Sequence, residues 1–469
     1  MSKFNSSIVI LNIAYFPIKE ELKKFILGES LGGERYGHSN DHKIYKQVHP
    51  DVFMEIAKLE EFNHWWIRGK VDPELALPFK RDIYEEIEKS IAKKFILALV
   101  GLRRIGKTVL IYQFIQKLIS EGVPKENIIF FSFDESAAQL GDILDSYKEF
   151  QKKDFRDDKV YIFLDEIQKC NNWENEIKKY YDLYPKIKII ISGSESLFIK
   201  KKTKETLAGR IIEFALTPFS FREYLRFHGV KELDLKYETK IASLFVKYAK
   251  MGGFPETFSF DNDKEFKEYI RALVVDKIVY KDIPKSFKIE SPEFLGVLLE
   301  LIATNPGINL DYMSLSKQFE KDRRVIKDYI SYLKESFLVC ILGNYRKGSI
   351  TTLRKMKKAY PTDNALSYMY KLGIDDSFFG KMIECLVVNK LKAKSFWKDG
   401  NEVDIVVENF PIEVKYQEQI GSGDFIALKS FMRKFNVKEG VMITKKDERQ
   451  ITIEEGKIKL IPAWKWFLG

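Results

Sequence analysis

The chain has 469 residues, enough for about three or four domains with cores of their own. Hydrophobic residues make up 45% and charged residues 31%, and no apolar run approaches the ~20 residues a bilayer-spanning helix requires, so no membrane role is expected. A net charge of +10 points instead toward a polyanionic partner. The N-terminus shows no signal-peptide pattern, and Cys170, Cys340 and Cys385 stand far apart with no CxxC. A reduced, cytoplasmic protein without a disulfide framework is therefore expected. His38, His42 and His49 cluster loosely without cysteine support, which is poor material for a zinc site.

In chain order, residues 1–70 form an N-terminal segment of unclear fold. Trp65 and Trp66 at its end would pack the entry to the next domain or, less simply, an adenine ring. Residues 71–220 contain the apolar strands KFILALVG, IIFFSFD, KVYIFLDE, KIKIIISGS and RIIEFAL, separated by amphipathic stretches. Nearly continuous apolar strands alternating with helices predict a parallel sheet covered on both faces.

The first strand runs into GLRRIGKT, residues 101–108, which matches G-x4-GK[ST] and precedes the apolar helix TVLIYQFIQKLI. Backbone amides of Gly101, Leu102, Arg103, Arg104, Ile105, Gly106 and on to Val109 would wrap phosphates at the positive end of that helix. Lys107 would reach the β- and γ-phosphates of ATP, and the Thr108 hydroxyl would hold Mg2+. The third strand ends in Asp165 and Glu166. Asp165 there can hold magnesium through water, and Glu166 can polarise the attacking water. Ser192 and Ser194 end the fourth strand, where a side chain would sense the γ-phosphate; an ordinary strand-to-helix turn explains them nearly as well.

The succession GLRRIGKT, VYIFLDEIQ, IIISGSES, LAGR, TPFSFREYL and GGFPE, over about residues 63–256, resembles the prokaryotic, especially archaeal, AAA-type P-loop ATPases. The resemblance implies sheet order 5-1-4-3-2 and a helical lid over residues 221–290. It also matches Arg210 to a position that meets the γ-phosphate in its own chain or a neighbour's, the latter in a homo-oligomer.

Residues 291–360 read as three helices followed by strand-like segments. In the third helix Ile326, Ile330, Leu333 and Phe337 form an apolar stripe and leave Arg323, Lys327 and Lys334 exposed. The run at 345–358 holds six basic residues and no acid. This part resembles a winged helix, which implies contact with DNA through the third helix and the wing; a plain solvated face is the competing reading.

Residues 361–469 hold EVDIVVENFPIEVKYQ. Strand alternation puts Glu402, Asp404, Val406 and Glu408 on one face, with Val403, Ile405 and Val407 on the other. Pairing as a hairpin would let Asp404 and Glu413 converge on one cation, with Lys415 beside them and Glu384 arriving from the preceding helix. The pattern Glu, then D-x8-E-x-K, over about residues 377–444, resembles the PD-(D/E)XK nuclease superfamily, although Val403 replaces its nominal proline. The expected whole is an ATP-hydrolysing switch with a DNA-directed, nuclease-like tail. The alternative is a signalling or assembly ATPase whose C-terminal domains bind protein.

Overall fold

The computed structural model describes residues 58–134, 138–193, 205–230, 237–346 and 356–469. Ser194 and much of the basic run at 345–358 lie outside the described residues. The strands β1 (Ile96–Val100), β2 (Ile128–Ser132), β3 (Tyr161–Asp165), β4 (Lys188–Gly193) and β5 (Ile211–Ala215) form a parallel sheet in the order 2-3-4-1-5. This is the expected order, counted from the other edge. Every residue of β1, β3 and β4 is buried, because helices cover both faces.

Residues near 60 belong to this body rather than to a separate N-terminal segment. The Trp65 and Trp66 indoles are buried and both donate to the Ile128 carbonyl, at 3.3 and 2.8 Å. The Asn63 side chain exchanges two hydrogen bonds with Phe130, so a side chain satisfies the open edge of β2. The tryptophans thus serve packing, and the domain boundary at 70 falls inside the body built on this sheet.

The expected lid packs against the C-terminal part. Its helices Phe221–Phe227 and Glu238–Met251 share an apolar core with Leu386 and Phe467 from the C-terminal part. Gly252 and Gly253 explain the motif GGFPE sterically. A Cβ at Gly252 would lie 1.7 Å from the Asp363 carboxylate, and one at Gly253 would lie 2.4 Å from the Phe219 carbonyl. Beyond it, the helix Asp263–Tyr269 continues through π-helical turns at Ile270–Val275 and Ile278–Asp282.

Three helices follow, Pro292–Thr304, Tyr312–Phe319 and Arg323–Glu335, capped by Ser291, Asp311 and Asp322. Ile326, Ile330 and Leu333 are buried as the stripe requires; Phe337 lies past the helix end at φ 56°. The strands β6 (Ile308–Asn309), β7 (Val339–Asn344) and β8 (Lys357–Pro361) pair with one another and do not stop there. β7 also pairs in parallel with β9 (Ser395–Asp399). The sheet then runs through β10 (Asn401–Val407), β11 (Phe410–Lys415), β12 (Glu439–Thr444), β14 (Gly456–Pro462) and β13 (Arg449–Ile453). The expected boundary at 360 is therefore bridged by one nine-stranded sheet.

The hairpin β10–β11 forms, with Ile405 opposite Ile412 and a two-residue turn at Glu408 and Asn409, both at positive φ. Strict alternation fails within β10. A bulge between Val403 and Val406 turns both valines toward Leu428 and Phe431, while Ile405 packs with Ile412 and Val414 in the other core.

Candidate functional site

Two clusters of chemically capable side chains emerge, one at each sheet. At the first, β1 ends at the loop 101–106 and the helix Lys107–Ser120 begins with no side-chain cap. Its first amides are therefore left for a ligand. Gly101 is required by close approach, since a Cβ there would lie 2.4 Å from the Leu216 carbonyl. Gly106 is required by its φ of +94°, and above it a Cβ would meet nothing within 4 Å. The loop is open on that side.

Lys107 is buried and donates to the carbonyls of Gly101 and Leu102, at 3.1 and 2.9 Å, so its ammonium lies across the loop. Thr108 Oγ1 donates to Asp165 Oδ2 at 2.9 Å, and Ser192 Oγ donates to the other oxygen of the same carboxylate. The hydroxyl and carboxylate expected to share magnesium are thus brought together, and they fit it: one neutral oxygen and one carboxylate at a helix N-terminus, with room for water and phosphate oxygens. Burial, and next to it the Glu166 carboxylate, pushes the Asp165 carboxyl above its ordinary range. Glu166 sits in the left-handed region at φ 52°, and Gln168 Nε2 donates to its Oε2 at 2.6 Å.

Sequence reasoning named Arg103 and Arg104 only as loop residues. Arg103 makes a two-point ion pair with Asp282, at 2.6 and 2.8 Å. Arg104, at φ 65°, approaches Glu256 to 3.5 Å, and Glu256 accepts a 2.5 Å hydrogen bond from Tyr269. The acid of GGFPE and the end of the π-turned helix thereby hold the phosphate loop. Nothing local to GLRRIGKT signals this, because Asp282 lies 179 residues away.

Arg210 is not brought to the loop. It precedes β5, the strand beside β1, at the end of the sheet opposite the loop, its carbonyl accepting from Ile96 N, and its guanidinium pairs with Asp182 at 2.9 Å. Five residues of strand, roughly 16 Å, separate it from the phosphate loop of its own chain.

The second cluster forms where β8, β10, β11 and the helix Asp376–Lys390 meet. The hairpin places Asp404 against Glu413: Asp404 N donates to Glu413 Oε2 at 3.3 Å, and Val414 N donates to Asp404 Oδ2 at 2.9 Å. Lys415 Nζ lies 2.8 Å from Glu413 Oε1. Glu384 joins from its helix. Burial first, then the Asp404 carboxylate, pushes Glu384 up to about 7 and Glu413 up to about 8; burial likewise raises Asp404.

Sequence reasoning missed Lys358 and Tyr360, both from β8. Tyr360 OH donates to Glu384 Oε1 at 2.6 Å, while Lys358 Nζ lies 3.8 Å from the same oxygen and in contact with Glu402. Burial pulls the Lys358 pKa down, but Glu384 and Asp404 outweigh it and hold the ammonium charged. Among the described residues no three His, Cys, Asp or Glu side chains converge as a metal-ligand set. The expected cation between Asp404 and Glu413 therefore has no ready-made cage here, and the positive charge among the carboxylates is a lysine.

Residues 93–225 match the family described as AAA domain (AAA_14), and residues 242–377 match a domain of unknown function (DUF8612). An AAA-type P-loop domain therefore occupies the first sheet. Among relatives, the uncharacterized protein MJ1544 of Methanocaldococcus jannaschii is 25% identical over 421 residues, covering 82% of this chain and 91% of that protein. MJ1637 of the same organism is 27% identical over 419 residues, covering 81% and 83%. An uncharacterized Haemophilus influenzae protein is 26% identical over 317 residues, covering 66% and 77%. Among solved structures, the S. cerevisiae Hsp104–ADP complex aligns with TM-score 0.30 at 18% identity, covering 58% of this chain and 40% of that one. The Aeropyrum pernix ORC1 protein in complex with DNA aligns with TM-score 0.29 at 12% identity, covering 68% and 91%. No helix among the described residues is long and apolar enough to cross a membrane.

Proposed function

We propose that this protein is an ATP-binding and ATP-hydrolysing switch whose C-terminal half is directed to nucleic acid, DNA foremost. The observation that carries the reading is the joining of Thr108 to Asp165 at the mouth of a glycine loop that a lysine already spans. Bound magnesium nucleotide would supply the electrophilic phosphorus and the metal charge that stabilises its oxygens. The chain's own residues do the rest. Lys107 turns from two carbonyls to the phosphates, Thr108 and Asp165 hold the metal side, and Glu166 orients water.

Support for a nucleic-acid partner is electrostatic. Arg323, Lys327 and Lys334 lie exposed on one helix, and Lys357 of β8 stands near enough to Lys327 and Lys334 that their charge, after burial, lowers its pKa. The order helix, β6, two helices, then β7 and β8, with β8 antiparallel to both other strands, also suits a winged helix. Helix 376–390, the β9–β10–β11 meander, a further helix and β12 parallel to β11 suit the nuclease-like reading of the tail. No cleavage step follows, because with Lys358 among its carboxylates the acid cluster does not fit a divalent ion.

That misfit favours the second reading, an ATPase whose C-terminal half binds protein. A labelled duplex titrated with nucleotide-loaded protein separates the two. The first reading expects binding at low salt with affinity that differs between the ATP- and ADP-loaded forms. No duplex binding at low salt leaves the second reading standing. For Arg210 a role remains only at a neighbouring chain's nucleotide in a homo-oligomer; if Arg210→Ala turns over like wild type at every protein concentration, that role is removed.

A further inference from the structure

The acid cluster raises a question that the nuclease-like reading does not answer: what neutralises it? Formally Glu384, Glu402, Asp404 and Glu413 contribute four carboxylates, and Lys358, Lys398 and Lys415 contribute three ammonium groups. Lys415 serves Glu413 and Lys398 serves Glu402 from the partly exposed side. Lys358 is different. Its side chain is only 6% exposed, it comes from the neighbouring strand β8, and it reaches both Glu384 and Glu402. It is the buried counter-charge that Glu384 and Glu402 share.

The placement is built into β8. Lys358 and Tyr360 are two residues apart on one strand, so both point to one face, and both end on Glu384. The strand is pinned on both sides, by β7 with Leu342 opposite Lys358 and by β6 with Asn309 opposite the same residue.

We infer that Lys358 is the resident cation of this cluster, its ammonium engaging carboxylates that a divalent ion would need, so that metal is kept out while the lysine stays. This rests on the nuclease-like reading of Glu384, Asp404, Glu413 and Lys415. It makes that site closed to metal, with the closing residue on a strand that pairs with β6 and β7 of the three-helix region. A tethered ammonium competes with a metal ion for the same oxygens and lowers metal affinity for as long as it stays.

The test is calorimetric titration of the full-length chain with Mn2+ alone, alongside thermal melts at the same concentrations. Wild type is compared with Lys358→Met, which keeps length and packing but removes the charge, and with the double variant Lys358→Met/Asp404→Asn. ATP binding at the Lys107 loop reports that each variant is folded. We expect Lys358→Met to bind one Mn2+ at least about tenfold more tightly than wild type and to gain more thermal stability from it, both gains disappearing in the double variant. Lys358→Gln carries the same expectation should the methionine variant not fold. Equal Mn2+ affinity in wild type and Lys358→Met, abolished by Asp404→Asn, overturns the inference and leaves the metal site standing. No Asp404-dependent Mn2+ binding in either overturns the nuclease-like reading itself, and the inference with it.

Discussion

Arg103 of the phosphate loop grips Asp282 through both carboxylate oxygens, Nε to Oδ2 at 2.6 Å and Nη2 to Oδ1 at 2.8 Å. The guanidinium is thus fixed in orientation by the end of a π-turned helix that leads directly to the three-helix region. Phosphates arriving at the loop would compete with Asp282 for this arginine, and such competition would carry nucleotide binding toward the C-terminal half. The side chains are 19% and 11% exposed, so breaking the pair strands a mostly desolvated charge.

Asp282→Ala is expected to lower stability by about 2 kcal/mol, below the full cost of a dry ion pair because some solvent reaches it. It should also uncouple the two halves. Hydrogen exchange over residues 278–304 would change on nucleotide addition in wild type and stay unchanged in the variant. An unaltered nucleotide response in Asp282→Ala would remove the pair from the coupling route.

Glu166→Gln should keep nucleotide affinity within about twofold and lose at least ~100-fold in turnover, since only the water-orienting carboxylate is lost. A phosphate-release assay with saturating ATP reads this directly. Turnover equal to wild type would reassign the base.

Stability should fall as pH rises across the neutral range. Glu384 and Glu413 have folded pKa values of about 7 and about 8, against ordinary values near 4.5. The folded chain therefore holds protons that the unfolded chain has released. The favourable contribution is full below about pH 4.5 and is lost as pH climbs to about 8, roughly 3–5 kcal/mol per group. The buried Asp165, also raised, adds a term of the same sign. Urea midpoints between pH 5 and 8.5 should show the decline, and Glu413→Gln should flatten it. A stability that rises over this range would contradict the cluster as described.

Lys327→Ala and Lys334→Ala should each weaken duplex binding across sequences and reduce the slope of log affinity against log salt by about one unit. An unchanged slope after either charge-removing substitution would place the nucleic acid elsewhere.

How much of this was legible beforehand follows from how far apart the cooperating residues are. GLRRIGKT announces its role because phosphate binding needs only eight consecutive residues and the helix behind them. The sheet order followed from the family resemblance, and the nearly unbroken apolar strands agreed with it. Asp404 and Glu413 met as expected because a two-residue turn fixes their register. Within the same hairpin, a bulge defeated strict alternation at Val406, and such a bulge leaves no clear mark in one sequence. Lys358 looked like one more basic residue of a solvated run, since strand alternation could not say which of Lys357 and Lys358 faces inward. Arg210 matched a motif, yet the parallel register carries it to the far end of the sheet.

The central claim is that the loop from Gly101 to Thr108 grips a nucleotide triphosphate. Calorimetric titration of the full-length chain with ATP and magnesium tests it most directly. We predict one ATP bound per chain and no detectable binding after Lys107→Ala. No heat of binding from the wild-type chain, or undiminished binding in Lys107→Ala, would contradict it.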